Sequence, residues 1–320
     1  MKRRSVKSNA AIALGIACLV SVPDASATAA AERPYIVALV SHDSAPYLAA
    51  IEGFRDRLGQ LTTPVDLKTH YLHGSLAKVS RLPGELRERP PELILSLGTL
   101  ATKWIVQEEL ESPIIAGLVL DSTLLEESTN STGVVLDFPV KTQIDWIKKV
   151  LPKNKTIGVL FNSTQNSHRV KTARDAAESL GMRLIAKEVA EPRDLPDALK
   201  ALSRRVDIIW GIPDPVVLTH QTTKPVLLFS YRNRIPFVGL SSAWVEAGAL
   251  YALERDYHDL GAQCGEMALE VLRGKPVASI PVSAPRTVLL ALNAKTIEHM
   301  KLEVETSIFG LATTVVEHRE

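Results

Sequence analysis

Small hydrogen-bonding residues recur directly after short aliphatic runs in this sequence. They are Ser41-His42-Asp43, Thr99 behind Gly98, Asp121-Ser122, Asn162-Ser163 with Asn166-Ser167, Asp214, and Ser241-Ser242. Hydroxyls, amides and the free N–H groups of a helix's first turn can hold a carboxylate without a buried cation. An amine would need a carboxylate in return, and Asp121, Asp214 or Asp256 could supply it. The same residue types are also the ordinary N-caps of a following helix. Each one alone therefore reads as a cap before it reads as a ligand contact, and only the set points to a binding site for a small polar solute. Asn162 to Ser167 is the most informative member, because its polar run is longer than a plain strand-to-helix turn requires. Trp244 follows Ser241-Ser242 and is expected in a loop, where its ring could face a solute. Tyr47, Phe161, Trp210, Phe229 and Tyr231 could stack on a ring or lie in the core.

Catalytic chemistry is less well supplied. Gly239-Leu240-Ser241-Ser242-Ala243 lies one residue from the G-x-S-x-G turn that exposes a nucleophilic serine. The histidines that follow it are His258, His299 and His318, and none stands in an evident loop after a late strand. A serine hydrolase using Ser241 is therefore the minor reading. His70 and His73 have no Cys, Asp or Glu partner at zinc-site spacing. Neither the phosphate-loop nor the dinucleotide fingerprint occurs, so no cofactor and no metal are expected.

The elements that must position these residues alternate. Strand patterns at 35–40, 65–71, 92–97 and 113–119 enclose helical patterns through Leu48 to Leu58, 76–88 and 100–110. A second series runs as helix 140–150, strand 156–161, helix 166–180, strand 183–189, helix 194–203, strand 206–210, a helical stretch 215–233 interrupted at Pro225, and strand 235–240. Beyond it come extended residues 251–257, a helix over 260–273, a proline-rich passage and a strand at 287–292. Buried aliphatic strands alternating with helices imply parallel sheets covered on both faces. The polar stretch 121–132 reads as a passage between lobes, and two later irregular stretches supply two more. The expected fold is α/β: two doubly wound parallel-sheet lobes joined by a three-crossing hinge, with solute held outside the carboxyl ends of the strands. The expected boundaries are 34–121 plus 254–280 for the first lobe, 132–250 plus 284–305 for the second, and a C-terminal tail at 306–320.

Lys2, Arg3, Arg4 and Lys7 precede an apolar run from Ala10 to Val22 and then Ala25-Ser26-Ala27, the pattern of a secretory signal peptide over residues 1–27. The run is shorter than the roughly 18 to 20 residues that span a bilayer. Cys18 lies inside it rather than just after it, which disfavours a lipoprotein. Cleavage after Ala27 would leave Cys264 alone, so no intramolecular disulfide is expected. It would also leave 33 Lys and Arg against 35 Asp and Glu, moving the net charge from +1 to −2. Nothing in that balance attracts nucleic acid. A periplasmic monomer is expected.

Several segments together resemble the ABC transporter substrate-binding protein family, in the group with tryptophan- and tyrosine-type transport components. They are Ile94-Leu95-Ser96-Leu97-Gly98-Thr99, Asn130-Ser131-Thr132-Gly133-Val134, Ile157-Gly158-Val159-Leu160-Phe161-Asn162 with Asn166-Ser167, Ile235-Pro236-Phe237-Val238-Gly239, Val245-Glu246-Ala247-Gly248-Ala249, and Leu272-Arg273-Gly274-Lys275-Pro276 leading to Leu292-Asn293. The resemblance implies a type I periplasmic-binding fold and delivery of a solute, an amino acid or related carboxylate, to a membrane permease with its ATPase. It implies no enzyme activity. It places the cleft loops on Ser41 to Asp43, Thr99, Asn162 to Ser167, Asp214 and Ser241. The opening Ser41-His42-Asp43-Ser44-Ala45-Pro46 departs from the glycine-richer or more aromatic family pattern, which points away from an aromatic amino acid and toward a more polar solute. A sensory role, with the closed form read by a chemoreceptor or sensor kinase, fits the same fold.

Overall fold

The computed structural model describes residues 33–61, 64–120 and 122–317. The expected signal peptide, Cys18, Asp121 and His318 lie outside the described residues.

The chain begins with three tight strand-helix units. Strand β1 (Tyr35–Val40) leads to helix α1 (Ala45–Leu58), β2 (Asp66–Tyr71) to a 3-10 turn and α2 (Leu82–Glu88), and β3 (Leu93–Leu97) to α3 (Thr99–Gln107). Then come β4 (Ile114–Val119), the one-turn α4 (Thr123–Glu126) and β5 (Ser131–Val135). These five strands form one sheet in the order β2-β1-β3-β4-β5, every pair parallel. The central strands β1, β3 and β4 are buried along nearly their whole length, as aliphatic strands covered on both faces must be.

The second series is α5 (Val140–Val150), β6 (Thr156–Phe161), α6 (Ser163–Ser179), β7 (Arg183–Glu188), α7 (Leu195–Leu202), β8 (Ile208–Trp210), α8 (Thr223–Asn233), β9 (Phe237–Gly239), α9 (Ser242–Glu246) and β10 (Tyr251–Arg255). Helix α10 (Tyr257–Leu272) then packs along α1 beside the first sheet. The chain finishes with β11 (Val288–Asn293), α11 (Ala294–Met300), α12 (Thr306–Leu311) and β12 (Ala312–Val316). The second sheet runs β12-β11-β10-β9-β8-β6-β7 and is parallel except where β11 turns back against β10.

Two expected boundaries move. The polar stretch 121–132 does not leave the first lobe: Asn130 Nδ2 donates to the carbonyls of Leu110, Glu111 and Ser112, pinning the loop beside β4. Strand β5 then pairs with β4, so the first crossing follows β5. Residues 254–255 belong to the second sheet, because β10 keeps its pairing with β11 as far as Arg255. The expected tail is structured too, since α12 and β12 extend the second sheet beyond β11. Pro225 breaks nothing; it lies in the first turn of α8, where its missing N–H costs no helical bond.

Helices α1 and α10 meet through glycines. A Cβ on Gly53 would stand 1.9 Å from the His258 carbonyl oxygen, and one on Gly261 would stand 1.9 Å from that of Ala50. Only hydrogen side chains permit this approach. It anchors α10, which follows β10 of the second sheet in sequence, firmly to the first lobe.

Candidate functional site

Three chain passages join the two sheets: residues 136–139 between β5 and α5, Asp256 between β10 and α10, and 284–287 before β11. The first leaves the carboxyl end of β5, and the second leaves the carboxyl end of β10. The third enters β11 at Val288, opposite Arg255, after Ser283 has bridged to Val134 beside β5. All three thus connect the carboxyl-end edge of one sheet to that of the other, and the loops after the parallel strands line the space flanking the crossings.

The crossings are tied to one another and to α10. Arg255 Nε donates to the Leu136 carbonyl at 2.6 Å, linking the first and second. Arg286, in the third, donates from Nε to Asp259 at 3.0 Å and from Nη1 to Glu266 at 2.9 Å, and the Thr287 hydroxyl donates to Asp259 at 2.6 Å. Burial raises the Asp259 pKa, but the Arg286 and Thr287 hydrogen bonds and the Arg286 charge outweigh it and hold the carboxyl below its usual range.

In the first lobe, Ser41 is buried and its Oγ accepts the Ala101 N–H at 3.0 Å, capping α3 from a distance. Gly98 has φ +94, and a Cβ there would stand 2.6 Å from Ser41 Oγ and 2.7 Å from the Tyr47 ring, so its bareness serves the protein's own packing. Thr99 opens α3 and is half-buried. His42 is exposed and meets the Tyr47 ring edge-on at 5.6 Å, while Asp43 pairs with His73 Nδ1 at 3.5 Å. Tyr47, Tyr71 and Tyr257 are half-buried around these strand ends, and Leu120, just after β4, is 67% exposed.

In the second lobe, five expected residues come together as a latch. Asn162 caps α6, its Oδ1 accepting the Thr164 N–H at 3.2 Å, and its Nδ2 donates to the Val189 carbonyl at 3.2 Å. Asn166 Nδ2 donates to Asp214 Oδ2 at 2.9 Å and to the Pro213 carbonyl at 3.1 Å. Ser163 donates to Glu188, and Ser167 donates to the Ser163 carbonyl. Asp214, the carboxylate that could have answered an amine, is 5% exposed and receives four N–H donors: Asn162 N at 2.7 Å, Asn166 Nδ2 at 2.9 Å, and the backbone of Val216 and Val217 at 2.9 Å each. Its carboxylate fixes the loop after β8 against the start of α6.

Ser241 occupies the N-cap position of α9 without a capping hydrogen bond from its side chain. Among the described residues it shares no hydrogen bond with a histidine: His258 pairs with Asp56 in the first lobe, and His299 stacks on Tyr231 at 3.7 Å. Trp244 departs from expectation. It lies in α9 rather than a loop, because a helical turn starts at Ser242, and its ring packs 5.6 Å from Phe237. There it lines a groove of about 780 Å³ with Leu228 and Tyr231 on the α8 side. Asp256 caps α10, accepting the Asp259 N–H at 2.9 Å.

A different set surrounds a cavity at the carboxyl ends of β8 and β9 and along β10: Asp137, Phe138, Gln143, Tyr251, Leu253 and Arg255, together with Gly211, Pro213 and 238–240. Sequence reasoning passed over these residues. The available signal was the charged pair Glu254-Arg255 ending an aliphatic strand, with Tyr251 and Leu253 on the same face as Arg255 by alternation.

Residues 35–316 match the family model described as ABC transporter substrate binding protein. A tyrosine-binding protein of Clostridioides difficile is 25% identical over 201 residues, 62% of this chain and 57% of that protein, so the chain spans little more than half the length of that curated relative. Among solved structures, an ABC domain from Streptococcus pneumoniae in complex with L-Trp aligns with a TM-score of 0.59 at 23% identity, covering 89% of this chain and all of that one. A ligand-free, open substrate-binding protein with adhesive properties from Clostridium difficile aligns with a TM-score of 0.72 at 20% identity, with the same coverage. Both structures share the fold of two parallel-dominated sheets. The chain belongs to the ABC transporter substrate binding protein family.

Proposed function

We propose that this protein is the extracytoplasmic solute-binding component of an ABC importer, holding an amino acid or related carboxylate between its two lobes and presenting the closed form to a permease and its ATPase. The observation that carries this reading is the placement of all three crossings at the carboxyl ends of the strands, which brings the polar loops of both lobes to one space around a hinge. A solute touching both lobes stabilises the closed arrangement by its differential contacts.

The relatives that bind tyrosine and tryptophan make aromatic amino acids the first solutes to try. The opening loop's polar sequence argued against them, yet Tyr47, Tyr71, Tyr257 and Leu120 supply aromatic and apolar surface around the first lobe's strand ends. The carboxylate is the feature common to every solute favoured here. Binding without turnover is the expected behaviour.

A thermal-shift screen of the protein against amino acids, small carboxylates, nucleosides and sugars tests the proposal. A solute at one hundred times its Kd adds about 2.7 kcal/mol to the stability of the folded state. A shift confined to amino acids or carboxylates supports the reading. Response to none of the four classes defeats it.

A further inference from the structure

One residue in the lining of the cavity along β10, Tyr251, carries an unanswered donor. Tyr251 is fully buried within the second lobe's apolar core, and among the described residues its hydroxyl has no hydrogen-bond partner. Leaving such a group unpaired is costly, because it has given up its hydrogen bond to water and gained none in return. Burial drives the Tyr251 pKa far above the usual phenol range, so the hydroxyl keeps its proton at any physiological pH. The ring lines the cavity together with Arg255.

Arg255 is half-buried, positioned by the bond from Nε to the Leu136 carbonyl and by the Phe138 ring, whose centroid lies 5.1 Å from the guanidinium carbon. Among the described residues no carboxylate pairs with it. The acid nearest in the lining, Asp137, is engaged already: Oδ2 binds Arg169 at 2.5 Å and Oδ1 accepts from Gln143 at 3.2 Å. Arg169 Nη1 is itself buried and unpartnered. Asp137 and Arg169 cancel, and Arg255 is left as the uncompensated charge of the lining.

We infer that Tyr251 and Arg255 form a subsite for the carboxylate of the bound solute, with the phenol and the free guanidinium edge as its donors. This rests on the solute-binding reading above and adds which group of the solute enters the second lobe. The cavity measures about 50 Å³. A carboxylate is the group of the solute that these two donors match. The remainder of the solute then lies outside the cavity, toward the first lobe's Tyr47 and Tyr257. Asn162, Asn166 and Asp214 bind one another and leave this task to β10.

Calorimetric titration of the wild type, Arg255→Gln and Tyr251→Phe with L-tyrosine and with L-tyrosinamide separates the possibilities. Hydrogen bonds to charged groups are worth enough that Arg255→Gln should weaken L-tyrosine about tenfold or more, and Tyr251→Phe several-fold. Both variants should bind the amide about as the wild type does. Because the Tyr251 hydroxyl has no partner among the described residues, Tyr251→Phe should melt at or above the wild-type temperature without solute, a result that a merely structural hydroxyl would not give. Equal losses on acid and amide, or no loss on either, would overturn the subsite while leaving solute binding intact. If the wild type ignores tyrosine, the same acid and amide pair is made for whichever carboxylate the screen returns. A screen returning only neutral solutes refutes the subsite and the carboxylate class of solute while leaving solute binding intact, and a screen returning nothing refutes the solute-binding reading and the subsite together.

Discussion

Asp214 and Tyr251 are both buried polar groups in the second lobe, one in the loop after β8 and the other at the start of β10, and their surroundings are opposites. Asp214 accepts four N–H bonds and has no capacity left for a solute. Among the described residues nothing accepts the Tyr251 donor, and no carboxylate pairs with Arg255 in the same lining. A buried polar group saturated by its own chain reports structure, whereas an unsaturated one facing a cavity reports what the cavity is for.

The contrast breaks most decisively at Asp214. Asp214→Ala strips the acceptor from four N–H donors, two of them in buried bonds, and should lower the unfolding free energy by about 3–5 kcal/mol in a urea titration. Unchanged stability with lost solute affinity would move Asp214 to the other side of the comparison. Asn166→Ala removes one neutral arm of the same latch and should cost about 1–2 kcal/mol by the same measurement.

Asp259 sharpens the comparison in the hinge, as a second engaged carboxylate. Its folded pKa is depressed, so its contribution is fully present above the unfolded carboxylate pKa of about 3.9 and is lost as pH falls through the lower folded value. Melting temperatures recorded from pH 6 downward should fall in that acid window, and Asp259→Asn should flatten that part of the profile. The smallest effect belongs to Tyr251→Phe without solute, whose unfolding free energy should stay within about 0.5 kcal/mol of the wild type or rise. A loss beyond 1 kcal/mol would show that the hydroxyl has a structural partner after all.

The alternation of aliphatic strands and amphipathic helices was legible because period 2 and period 3.6 are local properties of the chain. Helix α5 and strand β6 fall on the residues expected for them. The crossings were less legible. A polar stretch such as 121–132 marks a surface loop, but whether that loop leaves the lobe depends on partners such as the carbonyls bound by Asn130, eighteen to twenty residues away. The edge strand β12 was missed for a related reason, since five residues make a strand only when β11 is there to pair with them.

The site divides in the same way. Asn162, Asn166 and Asp214 were visible as polar residues behind strands, but type and position could not say whether they would bind a solute or each other. Trp244 was expected in a loop because a five-residue helix between two short strands carries almost no periodic signal.

By itself the sequence determined the composition of the layers, the family to which the chain belongs and the set of loops from which a site could be built. All of these follow from local pattern and from the order of segments along the chain. Only the tertiary structure decided which polar groups are consumed by the protein and which are left over. Hydrogen-bond satisfaction and charge compensation are settled between residues far apart in the chain, as between Arg255 and Leu136 or between Asp137 and Arg169, and no local spacing encodes them.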